Sequence, residues 1–223
     1  MGNLHIGIIL DGNRRFAKKL MKQPWKGHEE GAKRVEEILD WCKELNIKQI
    51  TLYCFSLENF KRSKEEVDFL MKLFRKEFER LEKDKRIDED KVKIKFIGQK
   101  ELLDKELREL MKRIEEKTKN YNNYILNFAI AYGGRQEILS AIKTLVECGK
   151  EVNEENFKQC LLLKDDPDLI IRTGGEIRTS NFFPWQSVYS EWIFLNKMWP
   201  EMTKQDLEEA ITEFNNRQRR FGK

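Results

Sequence analysis

Short apolar runs alternate with longer amphipathic segments along this chain, and that alternation constrains the fold more than any other feature. Apolar runs of strand length predict β-strands, whereas apolar residues at helical spacing predict helices. The candidate strands are residues 4–10, 50–55, 91–97, 125–131, 168–171 and 191–195. The candidate helices are residues 14–20, 35–45, 63–84, 102–114, 136–146, 154–162 and 204–217. Because strands that alternate with helices need crossover connections, we expect one α/β domain over residues 1–223, with a six-stranded, mainly parallel sheet flanked by helices.

Composition narrows the functional classes. The chain has 43 basic and 39 acidic side chains, and its net charge is only +4, so we expect no nucleic-acid partner. Its four cysteines lack the spacing of a zinc site. No apolar run reaches the length of a membrane span, and no signal segment opens the chain. We therefore predict a cytoplasmic protein, which would still contact a membrane surface peripherally if its product were a lipid.

The first apolar run ends in a polar cluster. It leads directly into Asp11-Gly12-Asn13-Arg14-Arg15. In an open α/β sheet, ligands bind beyond the carboxyl ends of the strands. A carboxylate beside arginines suits a metal–phosphate site, with Mg²⁺ on the acid and phosphate oxygens on the bases. The same segment equally fits a plain turn before a basic helix, because Asp-Gly-Asn is a common turn sequence.

Other predicted strands also end in polar clusters, at 56–62, 133–135 and 172–181. Because the carboxyl ends of parallel strands lie at one edge of a sheet, we expect these clusters to converge with 11–15. Their arginines suit a diphosphate, since a guanidinium group matches phosphate geometry in a bidentate manner. The sequence lacks the glycine-rich motifs of ATP and NAD sites and the serine motif of hydrolases. The residues expected to meet are Asp11, Asn13, Arg15, Asn59, Arg62, Arg172 and Arg178.

The helix predicted over 63–84 carries a wide apolar stripe. Ser63 and Glu66 form a capping-box pattern at its start. The stripe consists of Val67, Leu70, Met71, Phe74, Phe78 and Leu81, widened by Phe69 and Leu73. Two interpretations fit: an ordinary buried helix, or a helix that borders both the core and an apolar cavity. The periodicity by itself favours the ordinary helix.

Five motifs carry a family resemblance. They are HIGIILDGNRRFAKK at 5–19, GHEEG at 27–31, TLYCFSLENF at 51–60, AYGGR at 131–135 and DLIIRTGGEIRTSN at 168–181. On these motifs the chain resembles the cis-prenyltransferases, the undecaprenyl diphosphate synthase family, and most closely their archaeal branch. The resemblance implies repeated addition of isopentenyl diphosphate to an allylic diphosphate, farnesyl or geranylgeranyl diphosphate, with a cis double bond formed and pyrophosphate released at each step. It also implies a six-stranded parallel sheet, a homodimer and Mg²⁺ as cofactor.

The resemblance further implies roles for individual residues. Asp11 would be the catalytic acid that handles Mg²⁺ and the allylic diphosphate, Asn59 a proton-relay amide, and Glu191 a Mg²⁺ ligand that reaches in from the partner subunit. The residues implied at the allylic diphosphate are Gly12, Asn13, Arg14, Arg15, Phe16 and His28. Those implied beside Asn59 are Ser56, Leu57, Glu58, Phe60 and Arg62. Those implied at the isopentenyl diphosphate site are Arg172, Arg178, Thr179 and Ser180, with Arg220 and Gly222 from a C-terminal Arg-x-Gly. Those implied in the wall of a tunnel for the growing chain are Phe69, Leu70, Leu73 and Phe74.

Two departures from the family pattern stand out. Pro24 occupies a position where many relatives carry an arginine, which would leave one phosphate contact to Lys22 or Lys26. Arg14 occupies a position where many bacterial relatives have glycine. Two alternatives also stay open: a non-catalytic subunit of a hetero-oligomeric prenyltransferase, and prenyl transfer to a different acceptor. The presence of Asp11, Asn59 and Arg178 favours the enzyme.

Overall fold

A computed structural model describes residues 4–217, and the strands in this range form one sheet in the order β3-β4-β2-β1-β5-β6. All neighbouring strands in the sheet run parallel, which confirms the predicted α/β class. The strands are β1 His5–Ile9, β2 Gln49–Ser56, β3 Val92–Ile97, β4 Tyr124–Tyr132, β5 Leu169–Arg172 and β6 Glu191–Phe194.

Helices connect the strands and cover the sheet. They are α1 Asn13–Lys19, α2 Gly27–Glu44, α3 Lys64–Lys83, α4 Lys85–Glu89, α5 Lys105–Thr118, α6 Gly134–Glu147, α7 Glu154–Cys160 and α8 Lys204–Asn216. Helix α2 begins well before the predicted apolar pattern, because its first turns pack through glycines: the carbonyl of Gly31 accepts a hydrogen bond from Trp199 Nε1 over 2.9 Å. Helix α4 was not predicted; Asp84 ends α3 and caps α4 by accepting from the amide of Arg86 over 3.0 Å. Within residues 4–217, no helix is both long and apolar enough to cross a membrane.

The two faces of the sheet bury different clusters, because successive strand residues point to opposite faces. One face, which includes Ile8 and Leu52, packs against α2, α3, α5 and α8 in the main core. The other face, which includes Ile9 and Tyr53, packs against the buried pair Phe182 and Phe183. The aromatic segment that follows β5 therefore supplies part of the core.

The topology creates a crevice at the carboxyl ends of β1 and β5. The two strands are neighbours, with Ile9 paired to Arg172. The connection after β1 leads towards β2, whereas the connection after β5 leads towards β6 on the other side. Connections that diverge from adjacent parallel strands leave the crevice in which open α/β sheets bind their ligands.

Candidate active site

Asp11 lies two residues beyond β1, in the crevice beside β5. Its Oδ2 accepts a hydrogen bond from Arg172 Nη2 over 2.8 Å, and its Oδ1 accepts one from Arg15 Nη2 over 3.3 Å. Its backbone is also fixed, because the carbonyl accepts from the amide of Trp199 over 2.9 Å and from Thr173 Oγ1 over 2.7 Å. The carboxylate is therefore held between two guanidinium groups.

These guanidinium groups determine the ionisation of Asp11. Burial alone would raise the pKa of the carboxyl group, since desolvation disfavours the charged form. The hydrogen bond and the charge of Arg172, followed by those of Arg15, outweigh burial and lower the pKa of Asp11 below its ordinary value. Asp11 is therefore a carboxylate at neutral pH, the form that binds a divalent cation.

Gly12 makes the turn from β1 into α1. Its φ is +109°, and a Cβ at this position would lie 2.8 Å from Met198 Cα. Glycine is thus required both by the backbone conformation and by the close approach of a second segment. Beyond this turn, Asn13 points inward and donates to the carbonyl of Leu10 over 3.1 Å, while Arg14 and Arg15 remain exposed.

Arg172 organises the loop that follows β5. The side chain is buried, and its Nη1 donates to the carbonyl of Arg178 and to Ser180 Oγ, each over 2.6 Å. Tyr53 supports the same loop, since its hydroxyl lies 3.4 Å from the carbonyl oxygen of Ser180. Glu176 binds Arg178 over 2.6 Å at the outer end of the loop. One buried guanidinium thus joins the acid of the first motif to the polar loop of the last.

Glu66 anchors a second cationic group across the crevice. The carboxylate is buried, and its Oε1 lies 3.0 Å from Arg62 Nη1, 3.6 Å from Arg14 Nε and 3.9 Å from His28 Nε2. The predicted capping box forms only in half: Ser63 Oγ accepts from the amide of Glu66 over 3.3 Å, but the Glu66 side chain turns inward. Glu66 is therefore a site residue that the sequence reasoning assigned only to helix capping.

His28 presents an unsatisfied nitrogen to the crevice. Its Nε2 is buried and has no hydrogen-bond partner among the residues described. Burial, followed by the charges of Arg62 and Arg14, lowers the pKa of His28 from 6.5 to about 3. The imidazole is therefore neutral at neutral pH, and in the tautomer with its proton on Nε2 it can donate one hydrogen bond to an anion.

Asn59 lies in the short turn after β2. Its Oδ1 accepts a hydrogen bond from the amide of Ser56 over 3.1 Å. This bond engages the amide oxygen, and the Nδ2 group of Asn59, which lines the larger polar cavity, can act as a donor. In the same turn, Glu58 Oε1 accepts from Asn181 Nδ2 over 3.1 Å, which ties the turn to the loop after β5.

Three adjoining cavities meet at this crevice. Two are polar, with volumes of about 530 and 460 Å³, and both contain Asp11 and Arg62. The third is an apolar cavity of about 410 Å³ between α2 and α3. All three share Leu10, Asn13 and His28 in their walls, so the polar cavities adjoin the apolar cavity at these residues.

Most of the predicted site residues line these cavities. The structure brings together in the larger polar cavity Asp11, Asn13, His28, Ser56, Glu58, Asn59, Arg62, Arg172, Arg178 and Ser180. The second polar cavity adds Gly12, Arg14 and Arg15. It also includes Pro24 and Lys18, whereas Lys26 pairs with Glu29 over 3.0 Å. Lys18 therefore stands where Lys22 or Lys26 was expected to compensate for Pro24.

Four of the residues predicted around the two diphosphates line none of the three cavities, each for an identifiable reason. Phe16 lies off the face of α1 that Asn13 and Ala17 bury. Leu57 packs against the main core. The ring of Phe60 packs edge-on against Phe55, with centroids 4.9 Å apart. Thr179 is exposed, and its carbonyl accepts from the amide of Phe182 over 3.1 Å.

Glu191 stands apart from this site. Glu191 opens β6, and its Oε2 accepts from Arg217 Nη1 over 2.8 Å. The strand pairing places it level with Ile6, about 10 Å before the end of β1 at Ile9, whereas Asp11 of the same chain lies beyond that end. Arg220 and Gly222 lie outside the described residues.

The apolar cavity expected beside α3 is present. Leu70, Leu73 and Phe74 all line the apolar cavity, so α3 borders both a core and a cavity. Phe69 does not line this cavity, and its ring instead lies under the ammonium group of Lys26, 5.1 Å from the ring centroid. Different residues of the wide stripe on α3 therefore contact the core, the apolar cavity and Lys26.

Comparison with known proteins gives concordant matches. The sequence profile described as "Putative undecaprenyl diphosphate synthase" matches residues 9–222. A tritrans,polycis-undecaprenyl-diphosphate synthase (geranylgeranyl-diphosphate specific) from Pyrococcus horikoshii is 51% identical, over 98% of this chain and 86% of the relative.

Two solved structures share the fold along the whole chain. One is described as "a probable undecaprenyl diphosphate synthase" from Campylobacter jejuni; it is 36% identical, covers 100% of both chains and has a TM-score of 0.86. The other is lavandulyl diphosphate synthase from Lavandula x intermedia in complex with dimethylallyl diphosphate; it is 33% identical, covers 98% of both chains and has a TM-score of 0.92.

Proposed function

This chain belongs to the undecaprenyl diphosphate synthase family, and we propose on that premise that it extends an allylic diphosphate by successive cis additions of isopentenyl diphosphate. It is a prenyltransferase that makes a polyprenyl diphosphate, the precursor of a lipid carrier, and releases pyrophosphate at each addition. The observation that carries this function is that a cation-lined polar site adjoins an apolar cavity, with Leu10, Asn13 and His28 in the walls of both. A prenyl diphosphate needs both surroundings, because its head is a polyanion and its tail is hydrocarbon.

We propose geranylgeranyl diphosphate as the allylic primer. The Pyrococcus horikoshii relative, which is 51% identical, is named as specific for geranylgeranyl diphosphate. The apolar cavity supports a primer with a long tail, because Leu70, Leu73 and Phe74 line it beyond the polar site. Farnesyl diphosphate is the primer with which geranylgeranyl diphosphate should be compared.

We assign the head of the allylic diphosphate to the cations around Asp11 and Glu66. Arg15, Arg14 and Arg62 offer guanidinium groups, and the neutral ring of His28 offers an N–H. When the allylic carbon–oxygen bond breaks, negative charge grows on the departing diphosphate. Cations that are already in position stabilise that charge without reorganising at the moment of reaction.

We assign isopentenyl diphosphate to the loop after β5. Arg178 and Ser180 line the larger polar cavity beside buried Arg172, so a second diphosphate bound there lies across from the first. Asn59 lies on the wall of the same cavity, with its Nδ2 group available as a donor. In this position Asn59 would orient the substrate that loses a proton during condensation.

The residues around Asp11 fit Mg²⁺ if substrate phosphates supply further ligands. Among the residues that the structure describes, no three His, Cys, Asp or Glu side chains are grouped to hold a metal. Mg²⁺ is commonly bound by one or two carboxylates together with substrate phosphates and water. We therefore propose that Asp11 holds Mg²⁺ jointly with a diphosphate. When bound, Mg²⁺ would supply positive charge next to the leaving group.

The decisive experiment is mass spectrometry of the lipid product. Purified protein is incubated with Mg²⁺, labelled isopentenyl diphosphate, and either geranylgeranyl or farnesyl diphosphate. We expect a series of elongated diphosphates that disappears with EDTA and returns with added Mg²⁺. Absence of elongation from either primer would contradict the proposed function.

One alternative has a specific observation in its favour. The lavandulyl diphosphate synthase structure, at a TM-score of 0.92, was solved with dimethylallyl diphosphate, a short allylic diphosphate. Dimethylallyl diphosphate is an isomer of isopentenyl diphosphate, so its use as the acceptor would leave the product mass unchanged. An assay with labelled dimethylallyl diphosphate and no isopentenyl diphosphate distinguishes the two acceptors, because only transfer to dimethylallyl diphosphate would give a product there. A non-catalytic subunit would give no product alone and would gain activity only with a second chain.

We propose that the protein works as a homodimer. Leu139, Ile142 and Val146 form an exposed apolar stripe on α6, with 66%, 45% and 66% of their surfaces accessible. Such a stripe on a helix is typical of a surface that a second copy covers. A dimer would also account for Glu191, which is too far from Asp11 of its own chain to share a metal ion.

We also propose that a cytoplasmic form of the protein makes reversible contact with membranes. Leu20 and Met21 are 46% and 98% exposed in the turn after α1, and Lys18 and Lys22 flank them. Exposed apolar side chains beside cations favour an anionic lipid surface. Sedimentation with phosphatidylglycerol vesicles should deplete the protein from solution, and Met21→Glu should reduce that depletion.

A further inference from the structure

One wall of the apolar cavity is built from charged residues. Helices α2 and α3 flank this cavity, and at its far end Glu36, Arg80, Asp84 and Arg86 line it together with apolar side chains. Charged residues border an apolar space favourably when their methylene stems face it and their charged heads reach water. The heads of these four residues are indeed partly exposed, and they are all engaged in ion pairs.

These ion pairs connect α2 to the segment formed by α3 and α4. Arg80 Nη2 lies 2.8 Å from Glu36 Oε1. Arg86 Nη1 donates to both carboxylate oxygens of Asp40, over 2.8 and 3.1 Å. Glu36 and Asp40 are one helical turn apart on α2, so the two pairs form adjacent ties along the same edge of the cavity.

A second, smaller chamber lies directly behind these ties. It has a volume of about 60 Å³ and is lined largely by apolar residues, among them Cys42 and Ile50. It shares Leu39, Asp84 and Arg86 with the larger cavity. Arg86, held between Asp40 and Asp84, therefore stands at the boundary between the two spaces.

We propose that the ion pairs Glu36–Arg80 and Asp40–Arg86 form a clasp that limits the length of the prenyl product. This inference rests on the proposed function, because the chain held in the cavity is the growing prenyl tail. With the clasp closed, α2 stays against α3 and α4, and the tail meets the stem of Arg86. With the clasp open, the tail passes Arg86 into the smaller chamber and between the helices.

The ion pairs of the clasp are exposed, so ionic conditions can change how often the clasp is open. Its four side chains are between 41% and 56% exposed, and exposed ion pairs contribute little to stability. Added salt screens such pairs. Product length should therefore increase with ionic strength, whereas a floor made only of apolar side chains would not respond in this way.

The test combines two conservative substitutions in the clasp and compares the double variant with a matched control. Asp40→Asn removes one tie and leaves the Arg86–Asp84 pair intact, and Glu36→Gln removes the other. Glu82→Gln is the control, because Glu82 pairs with Arg113 of α5 over 3.0 Å and lines neither chamber. We expect the main product of the Asp40→Asn, Glu36→Gln double variant to be longer than that of the native protein by at least one isoprene unit, and we expect no change in Glu82→Gln. Identical product distributions in the native protein and the double variant would overturn the clasp.

A second measurement separates the clasp from the proposed function. Cys42 lines the smaller chamber and is buried, so its reaction with N-ethylmaleimide, followed by peptide mass spectrometry, reports opening without any catalysis. We expect the double variant to label Cys42 several-fold faster than the native protein and the Glu82→Gln control to label it at the native rate. If the native protein elongates no primer, the proposed function fails, while equal labelling rates in native and double-variant protein would overturn the clasp.

Discussion

Buried Arg172 donates a hydrogen bond from Nη2 to Oδ2 of Asp11 over 2.8 Å, which joins the end of β5 to the end of β1. A buried guanidinium group needs a partner of opposite charge, and Asp11 is that partner. The carboxylate therefore has a double task in the proposed mechanism, since it orders the cations of the site and would also bind Mg²⁺ with the diphosphate.

Asp11→Asn should abolish most of the activity and leave the fold intact. The amide keeps a hydrogen-bond acceptor for Arg172 but loses the charge that binds Mg²⁺, so we expect kcat to fall by about 10²–10³-fold. Steady-state incorporation of labelled isopentenyl diphosphate measures this, with circular dichroism as a check on folding. Asp68→Asn, an exposed acid on α3, is the matched control and should retain native activity. Native turnover in Asp11→Asn would refute the role assigned to this acid.

Glu66→Gln should weaken substrate binding more than it slows the chemical step. Glu66 holds Arg62 and lies near Arg14 and His28. Without the carboxylate, these groups, which we assign to the allylic diphosphate, are no longer held in position. We expect KM for the allylic diphosphate to rise by about tenfold, which corresponds to about 1.4 kcal/mol. Initial rates at varied primer concentration give KM and kcat separately.

The neighbouring residue supplies the control for Glu66. Glu65→Gln removes the same charge from the same turn of α3, but its side chain is exposed. A long-range electrostatic effect would raise KM equally in both variants, whereas a positioning role predicts the change in Glu66→Gln alone.

Stability should fall as the pH is lowered from about 6.5 to about 4, because of the two histidines of the chain. Burial lowers the pKa of His5 to about 4, and burial with the charges of Arg62 and Arg14 lowers the pKa of His28 to about 3, from the ordinary value of 6.5. Below pH 6.5 the unfolded chain binds protons that the folded chain excludes. Each histidine therefore reduces the free energy of unfolding by up to about 1.4 kcal/mol per pH unit in this window.

Urea denaturation at several pH values between about 7 and 4.5 measures this loss. His5→Asn and His28→Asn should each flatten the dependence, since asparagine does not titrate. Asp11 contributes in a different window, because its pKa is lowered from 3.8 and its share of the stability is lost only below that pH. An unchanged pH slope in the variant that lacks both histidines would contradict the burial-based account.

The sheet was predictable from the sequence because its strands are short, apolar and β-branched runs. The predicted β4 at 125–131 lies within the observed Tyr124–Tyr132, and the alternating run at 91–97 is the edge strand β3. The start of α2 was not predictable from apolar spacing, because Gly27 and Gly31 lie in the tightly packed first turns. A Cβ on Gly27 would lie 1.8 Å from the carbonyl oxygen of Asn13, and this constraint becomes visible only in three dimensions.

The site was predictable as far as the strand ends were polar. Asp11 and Arg172 were expected to meet, and they do. Glu66 was missed because Ser-x-x-Glu describes a helix cap equally well, and the cations that surround Glu66 come from distant segments. Phe69 was misplaced for a related reason: the periodicity of a helix identifies its apolar face, but not which part of that face borders a cavity and which part packs beneath Lys26.

Val146→Asp should convert the proposed homodimer into a monomer and should also reduce activity. A charge in the middle of a buried apolar contact is strongly unfavourable, and Glu191 would then no longer be supplied to the site of a partner. Size-exclusion chromatography with light scattering measures the mass, and the elongation assay is run on the same fractions. Ser140→Asp, which adds the same charge to another side of α6, should leave both mass and activity unchanged. A native protein that is monomeric and fully active would contradict the dimer, and it would require Mg²⁺ to be bound without Glu191.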